Sequence, residues 1–209
     1  MKIPDPAALS SIQGVIFDLD GTLVDSRLDF AAIRRDLGCP SGVGVLEYIG
    51  TLPGNEQSEA EQIVLEHERR GAQQAEWMPG ARDCLLQCQQ QGLPTAILTR
   101  NAREVADLTL TRLGIQVGML LAREDCPPKP APDGLLHIAS AWELPPANLV
   151  YVGDFLYDLQ AARRAGMIGC FYDPKQTCHY QAEADWHLAG FEQLTAVLAT
   201  VSGTAARPG

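Results

Sequence analysis

The chain has 209 residues, of which 46% are hydrophobic and 20% are charged, and its formal net charge is −10. This length suits one well-filled core with a small inserted module, and the acidic balance disfavours a nucleic-acid partner, because binding a polyanion draws on a basic face. The apolar runs are too short to cross a membrane, and the N-terminal residues lack the apolar region of an export signal. We therefore expect a cytoplasmic protein with no membrane partner, whose six cysteines are reduced thiols.

Short apolar runs alternate with amphipathic helical patterns along the chain. The runs at 14–17, 95–98, 119–122, 149–152 and 168–172 are continuous, as is typical of parallel strands buried on both faces. Helices are predicted between them at 81–91, 102–113, 132–144 and 156–165, and each stops at a glycine or a proline. This alternation predicts an α/β fold built on a parallel sheet.

One segment breaks the rhythm. Residues 25–78 carry helical patterns at 28–37 and 56–70 but no convincing strand, so we interpret them as a helical insert after the first strand. The charged run at 66–70 is expected to be a solvated helix face. The core is then expected to comprise residues 1–24 and 79–201, and residues 202–209 are expected to be a disordered tail.

Polar residues follow the predicted strands at the points where those strands end. Asp18 follows the first strand, Thr99 follows the second, and Asp154 follows the fourth after one glycine. Lys129 lies in the loop after the third strand. Ligands of open α/β sheets bind at the carboxyl ends of the strands, so these side chains are expected to converge on one crevice. Two carboxylates, a lysine and a hydroxyl group there indicate a divalent metal beside an anion.

This arrangement suits the hydrolysis of a phosphate ester. Asp18 can attack phosphorus as a nucleophile and divide a difficult displacement into two easier ones. Mg²⁺ held by Asp18 and Asp154 would neutralise the charge that develops. Asp20 lies two residues after Asp18 and can shuttle the proton of the leaving group.

The phosphoryl oxygens need donors of their own. We expect Thr99 and Lys129 to hold them, with backbone N–H groups of the turn at Leu19 and Gly21 adding more. Arg100 follows Thr99 directly. It is expected either to point into the cleft as a further phosphate contact or to cap the next helix together with its neighbour at 101.

Four motifs resemble, in order and context, those of the haloacid-dehalogenase superfamily, with the phosphoglycolate-phosphatase-like proteins as the nearest subgroup. They are Asp18-Leu19-Asp20-Gly21-Thr22, Leu98-Thr99, Lys129-Pro130-Ala131-Pro132-Asp133 and Gly153-Asp154-Phe155-Leu156-Tyr157-Asp158. The resemblance covers roughly residues 14–175, and four ordered motifs are far more specific than one. It implies a Rossmann-like core with a helical cap inserted after the first motif, which matches residues 25–78.

The resemblance also implies roles for individual residues. Asp18 would be both nucleophile and metal ligand, and Asp20 would be the acid/base that also offers its backbone carbonyl to the metal. Asp154 would bind Mg²⁺, and Asp158 would support the ion or its waters. The chain departs from the pattern at Phe155, where many relatives have serine, and at Arg100, where asparagine is common.

Other residues have simpler interpretations. A calcium loop at Asp18 is disfavoured, because the further oxygen ligands and the later glutamate are missing. Cys84 and Cys88 are expected to be buried thiols, and His67 and His137 surface residues. Zinc is disfavoured, because the candidate ligands have no zinc-site spacing; they are Cys170, Cys178, His179 and His187. Arg27, beside the entrance of the insert, is either a contact for an anionic substrate or a surface residue.

We therefore expect a Mg²⁺-dependent phosphatase acting on a small phosphorylated metabolite. A phosphomutase, which returns the phosphoryl group to a sugar, has nearly the same motifs and stays open. A non-enzymatic regulatory protein of the same fold also stays open, although no catalytic residue is lost. A dehalogenase is disfavoured, because relatives with that activity have no second carboxylate at the position of Asp20. The insert is short for this kind of cap, which weakens a specific phosphoglycolate assignment.

Overall fold

The computed structural model describes residues 4–5 and 9–201, so the tail expected at 202–209 lies outside the described residues. Eight strands are present in that part of the chain. They are β1 (Gly14–Phe17), β2 (Val24–Asp25), β3 (Glu76–Trp77), β4 (Thr95–Leu98), β5 (Met119–Leu121), β6 (Leu149–Gly153), β7 (Ile168–Tyr172) and β8 (Trp186–Leu188). Six of them form one sheet in the order β5-β4-β1-β6-β7-β8, and all its pairings are parallel.

The described helices alternate with these strands. They are α1 (Phe30–Leu37), α2 (Val45–Ile49), α3 (Gly54–Gln74), α4 (Ala81–Gln90), α5 (Arg103–Leu113), α6 (Asp133–Ala141), α7 (Leu156–Ala165) and α8 (Phe191–Val201), with a 3₁₀ turn at Pro146–Asn148. The α/β fold predicted from the sequence is confirmed. The short strand β8 and the helix α8 were not predicted, and neither was α2.

Helices cover both faces of the sheet. Val15 and Phe17 of β1 face a core built with α4, α5 and α8, whereas Ile16 faces a second core built with α6 and α7. Successive side chains of a strand point to opposite faces, so a central strand between two helical layers must be apolar at every position. All four residues of β1 are buried, which explains the continuous apolar run. Cys84 and Cys88 lie buried in the first core as free thiols, as predicted.

The segment 25–78 is helical, but two of its predicted features are wrong. Its ends do form strand, because β2 pairs antiparallel with β3. Two-residue strands are too short to leave a recognisable apolar pattern. Between them, α1, α2 and α3 enclose a small apolar cluster of their own around Ile33, Ile49, Ala60 and Val64.

The second error concerns the charged run at 66–70. Glu68 is buried and contacts the core of the protein, and the ring of His67 is mostly covered and bonds to Asp36 at 2.9 Å. Only part of this run is therefore a solvated face. None of the described helices combines the length and the apolar character needed to cross a bilayer.

Candidate active site

The carboxyl ends of β1, β4 and β6 meet below the helical segment 25–78, and a cavity of about 570 Å³ lies between them. Asp18, Thr99 and Asp154 directly follow these three strands, and all three line the cavity. Lys129 reaches the same cavity from the loop after β5. The structure thus brings together the residues that were predicted to converge because they follow the ends of the strands.

Lys129 lies at the centre of the site. Its buried ammonium group donates to Asp18 Oδ1 at 2.5 Å, to Asp158 Oδ1 at 2.6 Å and to the hydroxyl of Tyr151 at 2.8 Å. An ammonium has three N–H donors, so each one has a partner. Burial lowers the pKa of Lys129, but the carboxylates of Asp158 and Asp18 outweigh that effect and raise it. Lys129 is therefore a fixed cation whose single positive charge is shared by two of the carboxylates.

Three carboxylates remain crowded around this single cation. Asp18, Asp154 and Asp158 each offer an oxygen within 4.8 Å of the other two. Burial and the neighbouring carboxylates raise the pKa of Asp154 to about 7 and hold that of Asp18 well above its usual range, although Lys129 opposes both shifts. Like charges are brought together out of water, an arrangement that a divalent cation with a preference for oxygen ligands would relieve. The donor set therefore fits Mg²⁺.

Asp158 has two functions in this arrangement. Its Oδ1 accepts from Lys129 and lies 3.0 Å from the hydroxyl oxygen of Tyr151, while its Oδ2 accepts from the backbone N–H of Phe155 at 3.0 Å. The second bond joins the Asp158 side chain to the residue at the N-cap of α7 and stabilises the first turn of that helix, a position where the helix dipole favours an acidic side chain. Phe155 itself is exposed at the cavity wall.

Asp20 lies in the turn between β1 and β2. The side-chain amide of Asn101 donates to its carboxylate. Burial raises the pKa of Asp20, and hydrogen bonds from Ser26 and Asn101 oppose that shift. The expected donation from the Gly21 N–H to a phosphate does not fit the structure, because that group donates to Val24 O at 2.8 Å. The bond closes the turn, in which Gly21 has φ +80°.

Thr99 is buried, and its hydroxyl oxygen accepts from the backbone N–H of Asn101 at 3.1 Å. The hydroxyl proton is then free to point at a ligand in the cavity. Arg100 also lines the cavity, and the residue at the N-cap of α5 is Ala102, so Arg100 lies at the cleft and does not cap that helix. Its guanidinium donates to Glu47 Oε1 at 2.5 Å and lies 4.9 Å from the centre of the Tyr157 ring.

Arg27 lies at the rim of the cavity. Its backbone has φ +53°, and its guanidinium donates to Glu76 Oε2 at 2.7 Å with 56% of the side chain exposed.

Of the four zinc candidates, Cys178 and His187 do come close together, beside Asp173. The Asp173 carboxylate, however, already accepts from the backbone N–H groups of Thr177 and Cys178, so it orders that loop.

Four residues of the site were not predicted from the sequence. They are Glu47, Asn101 (foreseen only as a helix cap), Tyr151 and Tyr157. Tyr151 could have been recognised from one feature of the sequence, because it is the sole polar side chain in an otherwise apolar strand. Its hydroxyl donates to Leu98 O at 3.1 Å and so links β6 to β4 beneath the site.

The comparisons with known proteins agree with this geometry. The family model described as haloacid dehalogenase-like hydrolase matches residues 12–166. A haloacid dehalogenase-like hydrolase domain-containing protein of Arabidopsis thaliana is 32% identical over 197 residues, which cover 88% of this chain and 79% of that protein. A phosphoglycolate phosphatase of Chromobacterium violaceum is 30% identical over 185 residues, which cover 76% of this chain and 83% of that enzyme. The crystal structure of a hydrolase from Pseudomonas syringae superposes with a TM-score of 0.76 at 23% identity, covering 90% of this chain and 98% of that one, and supports the fold.

Proposed function

The chain belongs to the haloacid dehalogenase-like hydrolase family, and we propose that it hydrolyses a small phosphate monoester through a phospho-aspartate formed on Asp18. The observation that carries the proposal is the convergence of Asp18, Lys129 and Asp154 at the floor of one cavity. Relatives named phosphoglycolate phosphatase, 29–31% identical to this chain, support a phosphorylated metabolite as the substrate.

In the first half of the reaction, a carboxylate oxygen of Asp18 attacks the phosphorus atom. A bond forms between that oxygen and phosphorus, and the bond from phosphorus to the ester oxygen breaks. The departing ester oxygen takes a proton from Asp20, so that the leaving group departs as an alcohol and Asp20 becomes a carboxylate. The raised pKa of Asp20 favours its holding that proton before the attack.

In the second half, water attacks the phosphorus of the phospho-aspartate. Asp20 takes the proton of the water, the bond between phosphorus and Asp18 breaks, and inorganic phosphate leaves. Asp18 is restored as a carboxylate. Throughout, the Thr99 hydroxyl and the Leu19 N–H orient the phosphoryl oxygens, and the ammonium of Lys129, whose three N–H groups are already bonded, contributes its positive charge.

The residues that would hold Mg²⁺ are Asp18 and Asp154, with the backbone carbonyl of Asp20 as a further ligand and Asp158 behind them. When bound, the ion supplies positive charge against the oxygens of the transferring phosphoryl group. We further propose that residues 25–78 act as a cap, because every group in the reaction belongs to the core while the cap forms the opposite wall of the cavity. Such a cap excludes water and selects substrates.

The test uses purified protein and para-nitrophenyl phosphate. Hydrolysis is expected with Mg²⁺ and is expected to stop with excess chelator. Asp18→Asn keeps the size of the side chain but removes the nucleophile, so turnover should fall on the order of 10⁴-fold or more. Asp107→Asn is the matched control, because Asp107 is exposed on α5 and lies outside the cavity. Beryllium fluoride, which mimics a phospho-aspartate, should inhibit the wild type.

Two results would contradict the proposal. Near-normal turnover of Asp18→Asn would exclude the covalent mechanism. Full activity after verified removal of the metal would exclude Mg²⁺. A product with the phosphoryl group returned to a sugar rather than to water would instead identify a mutase.

A further inference from the structure

Arg100 is a cation in the wall of the cavity, one residue beyond the proposed phosphate ligand Thr99. Arg100, Thr99 and Asp18 line the same cavity, so an anion bound by Arg100 would lie in the cavity that holds the proposed phosphate site. The central carbon of the guanidinium lies over the ring of Tyr157, 4.9 Å from the ring centre. This cation–π contact holds the charged group at the cavity wall.

The donors of Arg100 are only partly used. Nη2 donates to a single oxygen of Glu47, at 2.5 Å. Nε is buried and has no hydrogen-bond partner among the described residues. A guanidinium carries five N–H donors in a fork that matches two oxygens of a carboxylate or a phosphate, and a buried donor without an acceptor is unfavourable. Glu47 is therefore the single side-chain acceptor of the fork among the described residues, and the buried Nε has none.

The other cations that line the cavity are already engaged. Lys129 has one acceptor for each of its three N–H groups. Arg34 donates to the backbone carbonyls of Pro40 and Val43 and holds a loop of the insert. Arg27 pairs with Glu76 at the exposed rim. Among the described cations of the cavity, Arg100 is the one that directly follows the proposed phosphate ligand Thr99 and has a buried side-chain nitrogen without an acceptor.

The partner of Arg100 can be displaced. Glu47 lies on α2 of the insert and its side chain is 39% exposed, whereas the side chain of Arg100 is 21% exposed. A single contact to a half-exposed carboxylate is weak, because water solvates the glutamate well when it is released. A substrate anion that takes two donors of the fork at once would compete successfully.

From these observations we infer that Arg100 binds a second anionic group of the substrate, a carboxylate or another phosphate, and that Glu47 is a resident counter-ion released when this group arrives. The inference rests on the proposed function and deepens it, because it names the substrate class as short phosphate monoesters with a second negative group. Since Glu47 belongs to the insert, the exchange also breaks one contact between the insert and the core.

The experiment compares substrates of matched length. Propyl phosphate has no second anion, 2-carboxyethyl phosphate has a carboxylate and propane-1,3-diyl bisphosphate has a second phosphate. Arg100→Met should lower kcat/KM for the two anionic substrates at least tenfold more than for propyl phosphate. Glu47→Gln should lower the KM for the anionic substrates about two- to fivefold, because the competing carboxylate is gone. Whichever anionic substrate responds more strongly identifies the second group.

Arg69→Met is the matched control. Arg69 forms another arginine–glutamate pair between the insert and the core, with Glu104 at 2.6 Å, but it does not line the cavity. Its removal should leave all three substrates unchanged. Arg100→Lys keeps the charge without the planar fork, so it should lose most of the discrimination and serves if the methionine variant does not fold.

Three results would overturn the inference. Equal losses on all substrates with Arg100→Met would make Arg100 a contact of the scissile phosphate. Equal effects of Arg69→Met and Arg100→Met would show that the Arg100–Glu47 ion pair only holds the insert against the core. An unchanged or higher KM for the anionic substrates with Glu47→Gln would show that Glu47 does not compete. If wild-type protein hydrolyses neither these esters nor para-nitrophenyl phosphate, the proposed function itself fails.

Discussion

Glu68 is a buried carboxylate that joins the helical segment to the core. It lies on α3, receives hydrogen bonds from Arg123 at 3.1 and 3.5 Å, and accepts from the backbone N–H of Ala102 at 3.4 Å. Burial raises its pKa from the ordinary 4.5 to about 6, and the attraction of Arg123 offsets only part of that effect. The folded protein therefore binds a proton at Glu68 more tightly than the unfolded chain does.

This difference sets the size and the sign of a stability effect. At about 1.36 kcal/mol per pH unit, the interval between 4.5 and about 6 corresponds to about 2 kcal/mol. Because the pKa of the folded state is the higher one, this stabilisation is fully present below pH 4.5. It is lost as the pH rises through 6, so the wild type should lose about 2 kcal/mol of unfolding free energy from this group by pH 7.

Glu68→Gln removes the titration and keeps the size of the side chain. Urea unfolding of both proteins between pH 4.5 and pH 8 should give stability curves that diverge by about 2 kcal/mol over that range, or about 4–8 °C in melting temperature. Other titrating groups are shared by the two proteins and largely cancel in the difference. Glu66→Gln, an exposed position on the same helix, should give a curve parallel to that of the wild type. Parallel curves for Glu68→Gln as well would refute the reasoning.

Three further outcomes are expected. Asp20→Asn should slow an alkyl phosphate at least tenfold more than para-nitrophenyl phosphate, because an activated leaving group hardly needs a proton; equal losses in kcat would argue against the acid role. Tyr151→Phe removes the hydroxyl that bonds Lys129 and links β6 to β4, so urea unfolding should show a loss of about 1–3 kcal/mol, and an unchanged midpoint would show that the network relaxes. Gly21→Ala should lower activity at least tenfold, because φ is +80° and an added Cβ would meet the Asp154 carboxylate; normal activity would mean that the turn can move.

Much of the core could be predicted because its signals are local. A strand between two helical layers must be apolar throughout, and the run 14–17 shows this directly. Ligands bind where parallel strands end, so Asp18, Thr99 and Asp154 could be assigned to one crevice without coordinates. Elements with little local pattern were missed, among them the two-residue strands β2 and β3 and the five-residue helix α2.

The side-chain partners across the cavity were decided by the tertiary structure. The sequence by itself determined that an arginine stands at position 100, but the approach of α2 selects Glu47 as its partner, 53 residues away in the chain. In the same way, the sequence places Glu68 in a charged run that predicts a solvated helix face. In the structure, α3 packs on α5 and Glu68 is buried. Apolar periodicity records which face of an element is buried, because burial acts on each residue separately. An ion pair depends on the relative placement of two elements, and that placement is settled only when the whole chain packs.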